Sequence, residues 1–184
     1  MPPLESVMKP LGTPMPAFDL PNLNGGGRVA SRDLAGKPVL AMFLCNHCPF
    51  VKHIRGALAQ LGHDLAGESI HLVAISSNDP VAYPDDAPER MTAEAREAGY
   101  PFPYCFDESQ QVARDFGAVC TPDFFLFDAS HRLAYRGRLD ASRPRSADPV
   151  TGAELRAAIA AVLANRQPDA TQHPSIGCSV KWKA

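Results

Sequence analysis

The chain has 184 residues, 45% apolar and 21% charged, with a formal net charge of −2. That length buries one sizeable core and is short for two, so a single domain spanning 1–184 is expected. No basic stripe offers nucleic acid an electrostatic footprint, and the longest apolar run, Pro38 to Cys45, is too short to span a membrane.

Residues 1–16 are rich in proline and predict an extended N-terminal segment. Ala17 to Leu20 predicts a short strand, Asn22 to Gly27 a turn with Gly25-Gly26-Gly27 at its tip, and Val29-Ala30 the return of a hairpin. Ser31 reads as the N-cap of a helical turn, Arg32 to Ala35, ended by Gly36. Pro38 to Cys45 is continuously apolar and fits a strand buried on both faces. From Pro49 to Leu65, apolar Val51, Ile54, Leu58, Leu61 and Leu65 recur at helical spacing.

Ile70 to Ser76 predicts a second buried strand. Asp85 to Ala98 predicts a charged helix stopped by Gly99, with Pro88 trimming its start. Its acid-rich opening, Asp85-Asp86-Ala87-Pro88-Glu89, reads as a solvated helix start. Tyr104 to Phe106 is a short strand, and Asp107 to Gly117 a helix with an acidic start and a glycine stop. Asp123 to Asp128 and Arg132 to Arg138 predict two strands joined by a tight turn. Thr151 to Ala164 is a final amphipathic helix, and residues 165–184 read as a polar tail packed on the surface. The order predicts an α/β fold: a central mixed sheet flanked by helices, parallel in its first half and antiparallel in the closing hairpin.

The beginning, Met-Pro-Pro-Leu-Glu-Ser-Val-Met-Lys-Pro, lacks a basic stretch followed by an apolar one, so the expected location is the cytoplasm. In a reducing compartment Cys45, Cys48, Cys105, Cys120 and Cys178 are not expected to form structural disulfides, and a close pair there is more often catalytic or metal-binding.

Cys45-Asn46-His47-Cys48 closes a buried strand and opens a helix. The spacing brings both sulfurs to one side of a helical turn. The helix N-terminus supplies unpaired N–H groups and a positive dipole end, which favour thiolate over thiol. An imidazolium at His47 would favour it further. By position Cys45 should be the more exposed, attacking sulfur, and Cys48 the one that resolves the mixed disulfide. Zinc is the competing reading, since Cys45, His47, Cys48 and His53 are all ligand types. A structural zinc site takes four ligands, usually from two separated pairs, and the sequence holds no second C-x-x-C and no H-x-x-x-H, so no metal is expected.

The stretches Leu11 to Leu20, Leu34 to Leu40, Cys45 to Val51 and Phe116 to Phe125 together carry a resemblance. The chain resembles the thioredoxin superfamily, and within it the peroxiredoxin-like branch of the alkyl hydroperoxide reductase / thiol-specific antioxidant family. The resemblance implies a thioredoxin-like fold with an N-terminal β-hairpin extension. It also implies a cis Pro122 facing the cysteine pair, with Asn46, Thr121 and Pro122 contacting substrate and Cys178 as a candidate resolving thiol. The implied activity is thiol–disulfide exchange through Cys45 and Cys48, with His47 tuning the thiolate. Thiols and disulfides of proteins or small molecules are the partners, and no organic cofactor is implied, since electrons travel through sulfur. Two alternatives stand beside it: a thiol-dependent peroxidase, and a non-catalytic metal- or redox-sensing module. The peroxiredoxin pattern P-x-x-x-[T/S]-x-x-C is not intact in either register. Counted back from Cys48 its positions hold Ala41 and Cys45, and counted back from Cys45 they hold Pro38 and Met42. Exchange is therefore preferred over peroxide reduction.

Overall fold

A computed structural model describes residues 3–184. Residues 1–2 of the expected extended segment lie outside the described residues. The frame is a five-stranded sheet made of β4 (Val39–Phe43), β5 (His71–Ser76), β6 (Tyr104–Phe106), β8 (Asp123–Phe127) and β9 (Leu133–Gly137), in the order β6-β5-β4-β8-β9. β4 pairs parallel with β5 and antiparallel with β8. This central position explains the uninterrupted apolar sequence of β4, because both its faces are covered and no residue alternates out to water.

One face packs on α1 (Pro49–Asp64) and α4 (Ala153–Leu163), with Leu40, Met42, Phe124 and Leu126 against Ile54, Leu58, Leu155 and Ile159. The other face places Val39, Ala41, Phe43, Phe125 and Phe127 against Phe116 of α3 (Gln111–Phe116). Phe116 meets Phe43 edge-on at 5.3 Å between centroids. β2 (Asp19–Pro21) and β3 (Arg28–Ala30) form the expected N-terminal hairpin.

Three elements differ from expectation. α2 spans Pro88–Ala98 and ends at left-handed Gly99, but Asp85 and Asp86 stand outside it in a 3-10 turn, Pro84–Asp86. α3 begins four residues late, because the Asp107 carboxylate turns inward to accept the Ala113 N–H at 3.0 Å and the Ser77 hydroxyl at 2.8 Å. Ser31 opens a 3-10 turn without capping it; its hydroxyl instead accepts the Phe18 N–H.

The C-terminal tail is a strand. β10 (Ile176–Ser179) lies between β1 (Leu4–Glu5) and β7 (Cys120–Thr121), antiparallel to both, in a second sheet of order β1-β10-β7. Val180 and Lys181 are buried beyond it. Trp182 is 36% exposed and stacks under the Arg114 guanidinium, 4.2 Å from its ring centre. No helix among the described residues is long and apolar enough to cross a membrane.

Candidate active site

β4 delivers Cys45 and α1 starts one residue beyond Cys48, so the motif bridges a buried strand and a helix start. Cys48 itself is the N-cap of α1, with Pro49 at the first helical position, where its missing N–H costs nothing. All five cysteines are free thiols. The Thr121–Pro122 peptide bond is cis. Thr121 Oγ1 lies 3.1 Å from Cys45 Sγ, and the Thr121 carbonyl 3.3 Å from Cys48 Sγ. Two segments about seventy residues apart in sequence thus close on each other at the sulfurs.

The electrostatics separate the two thiols. Cys48 is held well below the ordinary thiol range, chiefly because the Cys45 S–H donates to it. Burial opposes this, and the S–H and backbone N–H of Cys178 and the N–H of Val51 add to it. The Thr121 carbonyl beside Cys48 Sγ favours the protonated form. Cys45 is pushed well up, first by its bond to Cys48, then by burial and by the Asp86 carboxylate. Exposure does not separate the two sulfurs, since Cys45 is 1% exposed and Cys48 0%; their surroundings do, pushing Cys45 up and Cys48 down.

Asp86 was read from the sequence as a solvated helix start, and it is instead fully buried under the motif. Its Oδ1 accepts the backbone N–H groups of Asn46 at 2.7 Å and His47 at 3.3 Å. Its Oδ2 pairs with His47 Nδ1 at 2.5 Å and accepts Asn78 Nδ2 at 2.8 Å. Burial alone would raise this carboxyl, but the bonds from His47, Asn78 and Asn46 hold it below the usual carboxylate range. The His47 ring stacks on Tyr83, 5.3 Å between centroids. Asn46 is engaged inside the protein: its amide donates to Asp85 O at 2.8 Å and accepts the Tyr104 hydroxyl at 3.1 Å. Asn46 therefore shapes the motif loop from a buried position. Asp86, Asn78 and Tyr104 carry no sequence signal of their own, because each reaches the motif only through the fold.

Cys45, His47 and Asp86 offer ligand atoms within 4.8 Å of one another. The donor set is poor for a metal, because both oxygens of Asp86 already accept N–H groups and the His47 Nδ1 is one of the partners.

Cys178 comes to the site as well. It pairs in register with Thr121, whose carbonyl faces Cys48 Sγ. Pro122 lines a small cleft with Phe50, His53 and Ile176. Cys105 and Cys120 are fully buried; burial pushes the Cys105 thiol up to about 12 and Cys120 higher still, which leaves both inert.

A five-stranded mixed sheet with a C-x-x-C at a strand–helix junction, facing a cis proline, defines a thioredoxin-like redox protein. The pattern of the AhpC/TSA family matches residues 11–136, and the chain belongs to that family. It is similar to the solved structure of an uncharacterized conserved protein from Geobacillus kaustophilus, with 49% identity, a TM-score of 0.96, and coverage of 100% of this chain and 97% of that one. A hypothetical protein from Sinorhizobium meliloti is similar at 46% identity and TM-score 0.95, with 98% of each chain covered. A thiol:disulfide interchange protein of the thioredoxin family from Chlorobium tepidum shares the fold at 17% identity and TM-score 0.64, covering 85% of this chain and 99% of that one. Among curated proteins, none matches the chain.

Proposed function

We propose that this protein is a thiol–disulfide oxidoreductase that cycles between a Cys45/Cys48 dithiol and a Cys45–Cys48 disulfide. The observation that carries this reading is the closing of Thr121 on both sulfurs of the strand–helix junction, its Oγ1 3.1 Å from Cys45 Sγ and its carbonyl 3.3 Å from Cys48 Sγ. The Cys48 thiolate attacks a disulfide sulfur delivered beside it. One substrate sulfur leaves as a thiolate and a mixed disulfide forms. Cys45 then attacks Cys48, passing its proton to the departing second sulfur. Two electrons leave the pair and the substrate departs as two thiols. Thr121 lies against both sulfurs, and Asp86 fixes the loop that carries them. The substrates are thiols and disulfides of proteins or small molecules.

Thiol trapping across glutathione and dithiothreitol buffers tests the reading. The expected result is a reversible two-electron transition that disappears in both Cys45→Ser and Cys48→Ser. Absence of a Cys45–Cys48 disulfide at every poise would overturn it.

Membership of the AhpC/TSA family supports a second reading, a thiol-dependent peroxidase with Cys48 as the attacking sulfur. Hydrogen peroxide consumption with dithiothreitol as donor separates the two.

A further inference from the structure

Closing a Cys45–Cys48 disulfide requires the Cys45 sulfur to shed its proton. A bare thiolate there is disfavoured, because burial and the Asp86 carboxylate both push this thiol up. While Cys48 is bonded to a substrate sulfur it is no anionic acceptor either, so the proton needs another destination.

The groups around Cys45 narrow the choice. Thr121 offers a neutral hydroxyl, 3.1 Å away. Tyr104 is buried, burial pushes its phenol well up, and its hydroxyl already donates to Asn46 Oδ1. It stays protonated and cannot take a second proton. His47 and Asp86 remain. A ring nitrogen of His47, an oxygen of Asp86 and Cys45 Sγ lie within 4.8 Å of one another, a span that one bridging water covers.

Asp86 sets how the ring is used. Its side chain is 0% exposed and its carboxyl is held below the usual range, so it is ionised and only accepts. At 2.5 Å it takes the Nδ1 hydrogen, and the neutral imidazole keeps its lone pair on Nε2. Nε2 makes no hydrogen bond among the described residues, and the ring is 21% exposed, so one edge of it is anchored and the other meets water. Tyr83 stacks on the ring and fixes its plane. The nearby cation, Lys181 Nζ, lies 5.5 Å from the Tyr83 ring centre and is occupied by Ser179 O and Oγ, each at 3.0 Å.

Resting on the proposed oxidoreductase reading, we propose that His47 is the catalytic acid–base of the closing step and Asp86 its positioning residue: the Cys45 proton leaves by way of His47 Nε2.

Cys45 attacks Cys48 in the mixed disulfide. Its proton passes through water to His47 Nε2, and the ring becomes an imidazolium held by the Asp86 carboxylate. The Cys45–Cys48 bond forms. The bond from Cys48 to the substrate sulfur breaks, and its electron pair stays with that sulfur. Nε2 hands the proton to the departing sulfur, which leaves as a thiol, and the ring is neutral again. The substrate disulfide is the sole oxidant. Run backwards, His47 takes the proton of an incoming thiol and delivers it to the departing Cys45. His47 acts here by moving a proton, which is distinct from lowering a thiol through its charge.

The test mixes the reduced full chain with oxidised glutathione and quenches in acid at intervals. Peptide mass spectrometry then follows glutathione-bound Cys48 and the Cys45–Cys48 disulfide. Wild type, His47→Ala and Asp86→Asn are compared, and thermal melts verify folding; where Asp86→Asn is unfolded, His47→Ala decides alone. In His47→Ala, glutathione is expected to accumulate on Cys48, with closure slowed by roughly a hundredfold or more. Added imidazole is expected to restore the rate, since the alanine leaves a ring-sized opening against Tyr83. Asp86→Asn separates two roles by sign. If Asp86 acted only through its charge, removing that charge would ease the ionisation of Cys45 and speed closure. As the positioning residue of His47, its loss slows closure. The inference is overturned if His47→Ala closes at the wild-type rate, if imidazole leaves a slow His47→Ala slow, or if folded Asp86→Asn is as fast as wild type or faster. Those outcomes leave the Cys45–Cys48 reading standing. That reading fails separately if no Cys45–Cys48 disulfide forms in the wild type or in either variant.

Discussion

Gly177 lies so close to Thr121 that a Cβ built on Gly177 would fall inside van der Waals contact of the Thr121 carbonyl oxygen. That carbonyl also faces the Cys48 sulfur. Only a residue without a side chain lets β10 lie on this edge.

Gly177→Ala therefore forces β10 off the Thr121 edge. The expected cost is about 1–3 kcal/mol, the usual penalty for overfilling a packed site. Hydrogen exchange should show the amides of 176–179 losing protection while those of β4 and β5 keep theirs. Unchanged protection of β10 would contradict the steric argument.

Asp86 accepts hydrogen bonds from two backbone N–H groups of the motif and one from Asn78, and pairs with the His47 ring. Asp86→Ala leaves those buried donors without an acceptor, at roughly 1–3 kcal/mol for each one left unsatisfied. Because the folded carboxyl sits below its ordinary pKa, its contribution is complete above about pH 4 and fades as the pH falls through the lowered value. Urea melts from pH 7 down to pH 2 should show an acid-dependent loss in the wild type that is smaller in the variant.

Cys48 should be a thiolate at neutral pH in the reduced protein. Thiolate absorbance near 240 nm should then titrate below the ordinary thiol range of about 8.5, and that step should vanish in Cys48→Ser and persist in Cys105→Ser. The lowered value also means that the reduced fold gains stability from Cys48 in full above about pH 8.5 and loses it as the pH falls through the folded value. A step that persists in Cys48→Ser would assign the thiolate elsewhere.

Asp123 and Arg136 form a second buried polar group, on the far face of the sheet from α1. Both are 0% exposed, and neither the Asp123 oxygens nor the Arg136 guanidinium has a hydrogen-bond partner among the described residues. Burial pushes Asp123 up to about 8, with the Arg136 charge opposing. A raised carboxyl gives stability that is complete below its unfolded pKa, near ~4, and is lost as the pH rises to about 8. Asp123→Asn cannot ionise. The difference in Tm between variant and wild type should grow in the variant's favour from pH 4 to pH 8 and then level off.

Much of the frame was legible before any coordinates. Tyr104–Phe106 falls where the apolar residues put it, and α1 ends one residue before the expected Leu65. Gly99 and Gly117 both stop helices in the left-handed conformation. The cysteine motif was legible too, because a C-x-x-C between a continuous apolar run and a helical repeat is a local pattern. The inward turns of Asp86 and Asp107 were not. From sequence both are acids at a helix start, and the buried N–H groups that draw them inward belong in part to residues about forty positions distant for Asp86.

The sequence by itself determined the elements and the chemical kind of the site, because periodicity, capping and the cysteine spacing act between residues that are neighbours along the chain. Tertiary structure alone decided the different surroundings of the two motif sulfurs, which carboxylate holds the motif, and that Cys178 pairs opposite Thr121. Each of these depends on closing a long loop, and the free energy that closes it comes from the core as a whole and leaves no mark at the residues brought together.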